Sequence, residues 1–309
     1  MNVLTQFLIP VVFAGCLDAA ETPSTPPAAT SISVLLSDDL YPNGKILADA
    51  AQLEALRSSG KLRILDVRAA DAFQKGHIPS AVPVDVEAMT KRSRAPGALT
   101  DAAFWSKTVG TLGIDAETTV VVVDDTVTPN AARVWWLLRY VGVADVRLLN
   151  GGFAAWKALG REASTASSAV SEAKFEPKFQ SRMLANAETV RTMIDQPGKC
   201  LIDSRTAAEY SGEQVQGPRG GRVPSAKHLE WKQFLDERGR FKSATAITKL
   251  LSENRLAADD TAITYCQSGG RASLDVFALE LMGFKDVRNY YGSWSEWSAN
   301  EALPVVKGP

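Results

Sequence analysis

One stretch of the chain carries residue types that can do covalent chemistry at a workable spacing. It reads Thr261-Ala262-Ile263-Thr264-Tyr265-Cys266-Gln267-Ser268-Gly269-Gly270-Arg271-Ala272-Ser273-Leu274. Ala262 to Tyr265 is a short apolar, β-prone run of the kind that makes a buried strand. Leu274, Phe277, Ala278 and Leu281 then recur at helical spacing. A lone cysteine therefore stands between the carboxyl end of a strand and the N-terminus of a helix. Gly269 and Gly270 let the backbone curl so that consecutive N–H groups point inward at the sulfur. Those amides, the helix dipole and Arg271 favour thiolate over thiol. The chemistry expected is nucleophilic attack by sulfur, with an anionic product held in the loop.

The remaining inventory narrows the alternatives. With 309 residues, the chain has room for two domains of ordinary size, and 45% hydrophobic residues suffice for a core in each. A net charge of −1 gives no electrostatic footprint for nucleic acid. Three cysteines and two histidines show no metal-ligand spacing, and neither a zinc site nor a Ser-His-Asp hydrolase is readily built from them. Cys200 opens the strand that ends in Asp203-Ser204-Arg205. It is expected at the opposite end of that strand from the loop, buried, inert and too far from Cys266 to bridge. His77 and His228 each fall beside a repeated motif and are expected to be structural.

Residues 1–16 are apolar and too short to span a bilayer. They end in Phe13-Ala14-Gly15-Cys16, which resembles a bacterial lipoprotein signal followed by its lipidated cysteine, although no Lys or Arg precedes the apolar run. The expectation is export to the periplasm, with Cys16 as the lipidation site and membrane tether. Residues 17–32 are small, polar and Pro-rich and read as a flexible tether.

The body then repeats itself. Ile64-Leu65-Asp66-Val67-Arg68, followed by Gly76-His77-Ile78-Pro79-Ser80-Ala81, returns as Leu201-Ile202-Asp203-Ser204-Arg205, followed by Gly221-Arg222-Val223-Pro224-Ser225-Ala226. Thr119 to Val123 matches the strand before Cys266, and Gly151-Gly152-Phe153-Ala154-Ala155-Trp156 matches Gly292-Ser293-Trp294-Ser295-Glu296-Trp297. Each copy alternates short strands with helices, expected at 49–57, 131–140, 187–194 and 273–282. That alternation predicts an α/β fold, a mainly parallel sheet with helices on both faces. Ligands of such sheets bind beyond the carboxyl ends of the strands, where Cys266 and Arg205 are both expected. Residues 161–174 are rich in Ala, Ser, Thr and Glu and read as part of a linker spanning 161–182, between a first domain at 33–160 and a second at 183–309.

The Cys-Gln-Ser-Gly-Gly-Arg loop and the doubled Asp-x-Arg … Gly-x-x-Pro-x-Ala motif together resemble the tandem-domain rhodanese sulfurtransferases. The resemblance covers roughly residues 33–303. It implies an inactive first copy and a catalytic second one. It also implies transfer of a sulfane sulfur from thiosulfate to cyanide or a thiol, through a persulfide on Cys266 and without a cofactor. Arg205 and Arg271 are then expected to bind the substrate oxyanion, Gln267 and Ser268 to sit near the leaving group, and the amides of residues 267–271, Gly269 and Gly270 included, to hold the charged sulfur. The first copy has no cysteine. Its strand runs into Asp124 and Asp125, which repel anions, so its expected role is structural, with Asp124-Asp125 as a solvated loop and Trp135 and Trp136 as core or interface residues. A cysteine phosphatase would need five residues between Cys and Arg, where this loop has four. Two alternatives stay open within the resemblance. 3-Mercaptopyruvate is one, although Glu209 stands where such enzymes place a further arginine and would receive a carboxylate poorly. The other is an exported carrier that hands persulfide sulfur to a protein acceptor.

Overall fold

The computed structural model describes residues 40–308 apart from Ser59. The expected signal segment, Cys16, the tether and the first residues of the first domain lie outside the described residues.

The two copies fold alike. The first runs β1 (Leu47–Ala48), α1 (Ala50–Arg57), β2 (Leu62–Asp66), α2 (Ala70–Lys75), β3 (Val82–Pro83), α3 (Val86–Ser93), α4 (Ala102–Thr111), β4 (Thr119–Val123), α5 (Pro129–Tyr140), β5 (Asp145–Leu149) and α6 (Gly152–Ala158). The second runs β6 (Leu184–Ala185), α7 (Ala187–Met193), β7 (Lys199–Asp203), α8 (Ala207–Ser211), β8 (Lys227–His228), α9 (Ala244–Glu253), β9 (Thr261–Tyr265), α10 (Gly270–Leu281), β10 (Asp286–Tyr290) and α11 (Ser293–Trp297). Each sheet has five parallel strands, in the orders β1-β5-β4-β2-β3 and β6-β10-β9-β7-β8.

In the second sheet the chain leaves β7 toward the β8 edge and returns on the other side as β9 and β10. The direction of winding reverses between β7 and β9, the kind of point at which parallel sheets offer a ligand crevice beyond their carboxyl ends. Asp203 pairs with Tyr265, so Ser204 and Cys266 leave the sheet side by side there.

Three apolar layers hold this arrangement. Leu53, Ile64, Phe73 and Trp156 cover the outer face of the first sheet, and Val190, Leu201, Trp294 and Trp297 that of the second. The inner faces share one core, joined where α5 meets α10: the Trp135 ring stands edge-on to Phe277 at 4.8 Å, and Trp136 stacks on Tyr291 at 5.1 Å. Truncating either buried tryptophan to alanine costs about 3–5 kcal/mol. The two copies therefore form a common core.

The segment expected as a linker is not loose. Ser106 Oγ donates to the Phe175 carbonyl at 2.6 Å, the Ala173 N–H donates to Gly110, and Phe175 is buried. His77 lies between the carbonyls of Phe73 and Ala166, each at 3.0 Å, and stacks on Phe73, a structural role. The segment straps the first copy, because its backbone groups find partners on α4 and the chain near His77.

Candidate active site

The loop from Cys266 to Arg271 joins β9 to α10. Helices α1, α3, α4, α5, α7, α8 and α9 each have a side chain at the N-cap that accepts a backbone N–H. α10 has none; its N-cap is Gly269, in the left-handed region at φ 86°. The amides at this helix start turn to the cysteine instead: Ser268 N–H lies 3.4 Å and Gly269 N–H 3.1 Å from Cys266 Sγ. Glycine is required at 269, since a Cβ there would sit 2.6 Å from the Tyr291 ring. Cys266 itself is 1% exposed, with Gln267, Ser268 and Arg271 half-exposed above it.

Arg271 is aimed at the sulfur but paired beside it. Its Nη1 and Nη2 lie 2.6 and 2.8 Å from the Glu209 carboxylate oxygens. Glu209 is 1% exposed and closes a capping box with Thr206 at the start of α8. Burial works against the charge on Arg271, but Glu209 and the nearby Cys266 sulfur outweigh it and hold the guanidinium more firmly protonated than usual. Burial pushes the Glu209 carboxyl up, and Arg271 together with Thr206 more than reverses this. Glu209 is thus already neutralised. The Glu209 carboxylate faces Arg271 as one half of an ion pair.

Arg205 departs from expectation. Its backbone is beside the loop, but its side chain turns into the domain and is 1% exposed. Nε lies 2.9 Å from Asp203 Oδ1, one Nη lies 2.6 Å from Oδ2 and 2.7 Å from the Gly221 carbonyl, and the guanidinium stacks 4.5 Å from Trp294. Arg68 repeats this in the copy without a cysteine, on Asp66 at 2.7 Å and the Gly76 carbonyl at 2.8 Å. A geometry present with and without the nucleophile is a staple of the fold, not a substrate contact. The Asp-x-Arg motif ties the end of one strand to the Gly-x-x-Pro loop.

The other expected residues fall as follows. The Gln267 amide oxygen is buried without a hydrogen-bond partner. The Ser268 carbonyl accepts from Arg133 Nη1 at 2.9 Å, and its hydroxyl lies 3.3 Å from Arg133 Nη2. Gly270 opens α10. Cys200 is a free thiol at the far end of β7, 3.5 Å from Asp260, and burial pushes it up. His228 bonds the Arg205 carbonyl at 2.9 Å. Asp124 stands in the first copy where Cys266 stands in the second: Phe153 N–H donates to Asp124 O as Trp294 N–H donates to Cys266 O. It is buried rather than solvated, bonded to Thr128, and burial raises its carboxyl.

Sequence reasoning missed three groups. Arg133 reaches the loop from α5 of the first copy; the only signal is a cation set between Ala132 and Val134 in the buried part of that helix. Asp275, on α10 one turn beyond Arg271, is fully buried and accepts from Ser204 Oγ at 2.6 Å. Desolvation, and less strongly the nearby sulfur, raise its carboxyl well above the usual range. Arg219 donates to the carbonyls of Ser298, Leu303, Trp297 and Asn300 and ties down the loop after α8.

A cysteine-bearing loop on the second of two parallel sheets of like topology is a specific arrangement, and comparison with known proteins decides the family. The model of the Rhodanese-like domain matches residues 49–159 and 186–300. The chain belongs to the rhodanese family. It is 34% identical over 278 residues to a probable 3-mercaptopyruvate sulfurtransferase of Pseudomonas aeruginosa, covering 85% of this chain and 98% of that one. It is 31% identical over 281 residues to a thiosulfate sulfurtransferase of Corynebacterium glutamicum, covering 87% and 92%. A sulfur carrier protein of Thermus thermophilus, TtuD, is 29% identical, covering 87% and 99%. Among solved structures, the anaerobic ergothioneine biosynthesis enzyme from Chlorobium limicola matches with a TM-score of 0.77 at 24% identity over 87% of this chain and 72% of that one, a likeness of fold. Within this rhodanese the first copy keeps the sheet and the staple but has a carboxylate, Asp124, at the position of Cys266.

Proposed function

We propose that this protein is a thiosulfate sulfurtransferase working through a persulfide on Cys266. The observation that carries the reading is the pair of main-chain N–H groups turned onto Cys266 Sγ at an otherwise uncapped helix start. In the first half-reaction the Cys266 thiolate attacks the outer sulfur of thiosulfate. The new S–S bond forms as the old one breaks, and sulfite leaves with the bonding pair. In the second, cyanide or a thiol attacks the outer sulfur of the persulfide, and the thiolate returns as leaving group. Negative charge stays on sulfur throughout, so fixed amide donors suit every stage. Arg271 adds a cation beside it, and the amide of Gln267 is a polar group available to the leaving sulfite.

Thiosulfate is preferred to 3-mercaptopyruvate because the loop amides can hold a small sulfur anion, whereas Arg271, the cation beside the sulfur, is already paired with Glu209 and is not free to fork onto a carboxylate. A protein acceptor remains the second reading, supported by the relative named as a sulfur carrier. The reading from residues 1–16 adds export to the periplasm and a membrane tether at Cys16, for which the mature N-terminus of native material is the test. Incubation with thiosulfate alone is expected to add one sulfur atom to the intact protein, removable by cyanide and absent in Cys266→Ser. No added mass would overturn the persulfide route. Turnover with thiosulfate against 3-mercaptopyruvate, with cyanide as acceptor, tests the donor.

A further inference from the structure

Arg133 is a buried cation of the first copy with no carboxylate partner among the described residues. It is 7% exposed, and its Nη1 donates to the Ser268 carbonyl at 2.9 Å and the Tyr291 hydroxyl at 3.0 Å. Gly270 makes room for it: a Cβ at that position would lie 2.5 Å from Arg133 Nη2. The Ser268 carbonyl belongs to the same peptide unit as the Gly269 N–H, and that N–H donates to Cys266 Sγ at 3.1 Å. A charged donor on the oxygen of a peptide polarises its N–H, so the next hydrogen bond in the chain strengthens. The geometry is guanidinium to carbonyl, then N–H to sulfur, across the boundary between the two copies.

We propose that Arg133, supplied by the copy without a nucleophile, is a positioning residue that stabilises negative charge on Cys266 Sγ through the Ser268–Gly269 peptide. The inference rests on the assignment of Cys266 as nucleophile. The other charged groups around the sulfur are accounted for. Arg271 and Asp275 face it from α10, the first paired with Glu209 of α8 and the second bonded to Ser204. Asp203 and Arg205, at the end of β7, pair with each other. Around Arg133 itself stand the Tyr291 hydroxyl, bonded in turn to Ser93 Oγ, and Arg94, whose guanidinium takes the Tyr291 carbonyl and Ser295 Oγ. A charge with no anion of its own, coupled through one peptide to an anionic sulfur, gives the first copy a part in the chemistry beyond walling the cleft.

The test is the rate of Cys266 alkylation by iodoacetamide, followed by peptide mass mapping so that other thiols are not counted. Arg133→Gln is expected to slow it about tenfold at pH 7, the scale of one charge-assisted hydrogen bond. The deficit should shrink as pH rises, because the missing quantity is thiolate. Arg133→Lys, which keeps the charge, should recover most of the rate. Tyr291→Phe removes the hydroxyl that Arg133 also bonds without touching the peptide and should stay within about twofold of wild type. A Gln variant within about twofold of wild type overturns the proposal. So does an equal loss in Tyr291→Phe, or a deficit that is the same at every pH. If the Gln variant does not fold, Arg133→Met, of similar length, takes its place. The assay needs no thiosulfate. A protein that shows Arg133-dependent alkylation yet gains no sulfur keeps this inference and loses the sulfurtransferase reading.

Discussion

Arg205→Ala separates substrate anchoring from fold support. The side chains of Arg205 and Asp203 are 1% and 0% exposed. Removing the arginine strands a carboxylate whose oxygens it covered at 2.9 and 2.6 Å. Breaking such a buried pair from one side costs about 3–5 kcal/mol. The bond to the Gly221 carbonyl and the stack on Trp294 go too, so the lower end of that range does not apply. For a chain of this size about 4 kcal/mol corresponds to a fall in Tm of roughly 10 °C. Thermal unfolding followed by circular dichroism reads that directly. Thiosulfate:cyanide kinetics, run well below the variant's Tm, should show KM for thiosulfate within about twofold of wild type, because the guanidinium does not face the crevice. Replacing both partners, Asp203→Asn with Arg205→Leu, should recover part of the loss, since no buried charge is then unpaired. The reasoning fails if Arg205→Ala unfolds like the wild type while KM rises tenfold.

Three further outcomes follow from the same site. Gly269→Ala should abolish sulfur transfer and lower Tm, as its left-handed φ and the Tyr291 ring both refuse a Cβ; activity near wild type would show that the loop can rearrange. Arg271→Ala should destabilise the protein most near neutral pH. Glu209 sits below its ordinary value, so its pairing contributes above about pH 4.3 and is lost as pH falls through the lower folded value. The gap to wild type, read by urea denaturation, should therefore narrow below about pH 4, and a pH-independent gap would refute the pairing. Asp275 shifts the other way. Its raised carboxyl means the folded state holds a proton that the unfolded state releases above about pH 3.9, so stability declines as pH rises from there toward the folded value. Asp275→Asn keeps the shape without that penalty and should raise Tm at pH 7 to 8, with little change near pH 3; a lower Tm at neutral pH would mean that the carboxylate is ionised and needed.

The cysteine-bearing loop, the duplication and the parallel α/β class were legible in the chain because each depends on short-range pattern. A strand of five residues, a glycine-bearing turn and a 3.6-residue repeat place Cys266 at a helix start whatever packs around it. Glu209 closes a capping box with Thr206, but its second partner, Arg271, lies 62 positions on and leaves no local trace. One clue stood in plain view: Asp-x-Arg occurs in the copy with no cysteine, which argues for support over chemistry. What the chain could not disclose is where long side chains point. Arg205 had two targets in reach, the crevice and the Asp203 carboxylate, and burial beside Trp294 favoured the pair. Arg133 acts on a loop 135 residues away only because α5 and α10 share one apolar layer. Directions of that kind follow from which charges the packed core leaves without water, a property of the assembled whole that no local run of residues carries.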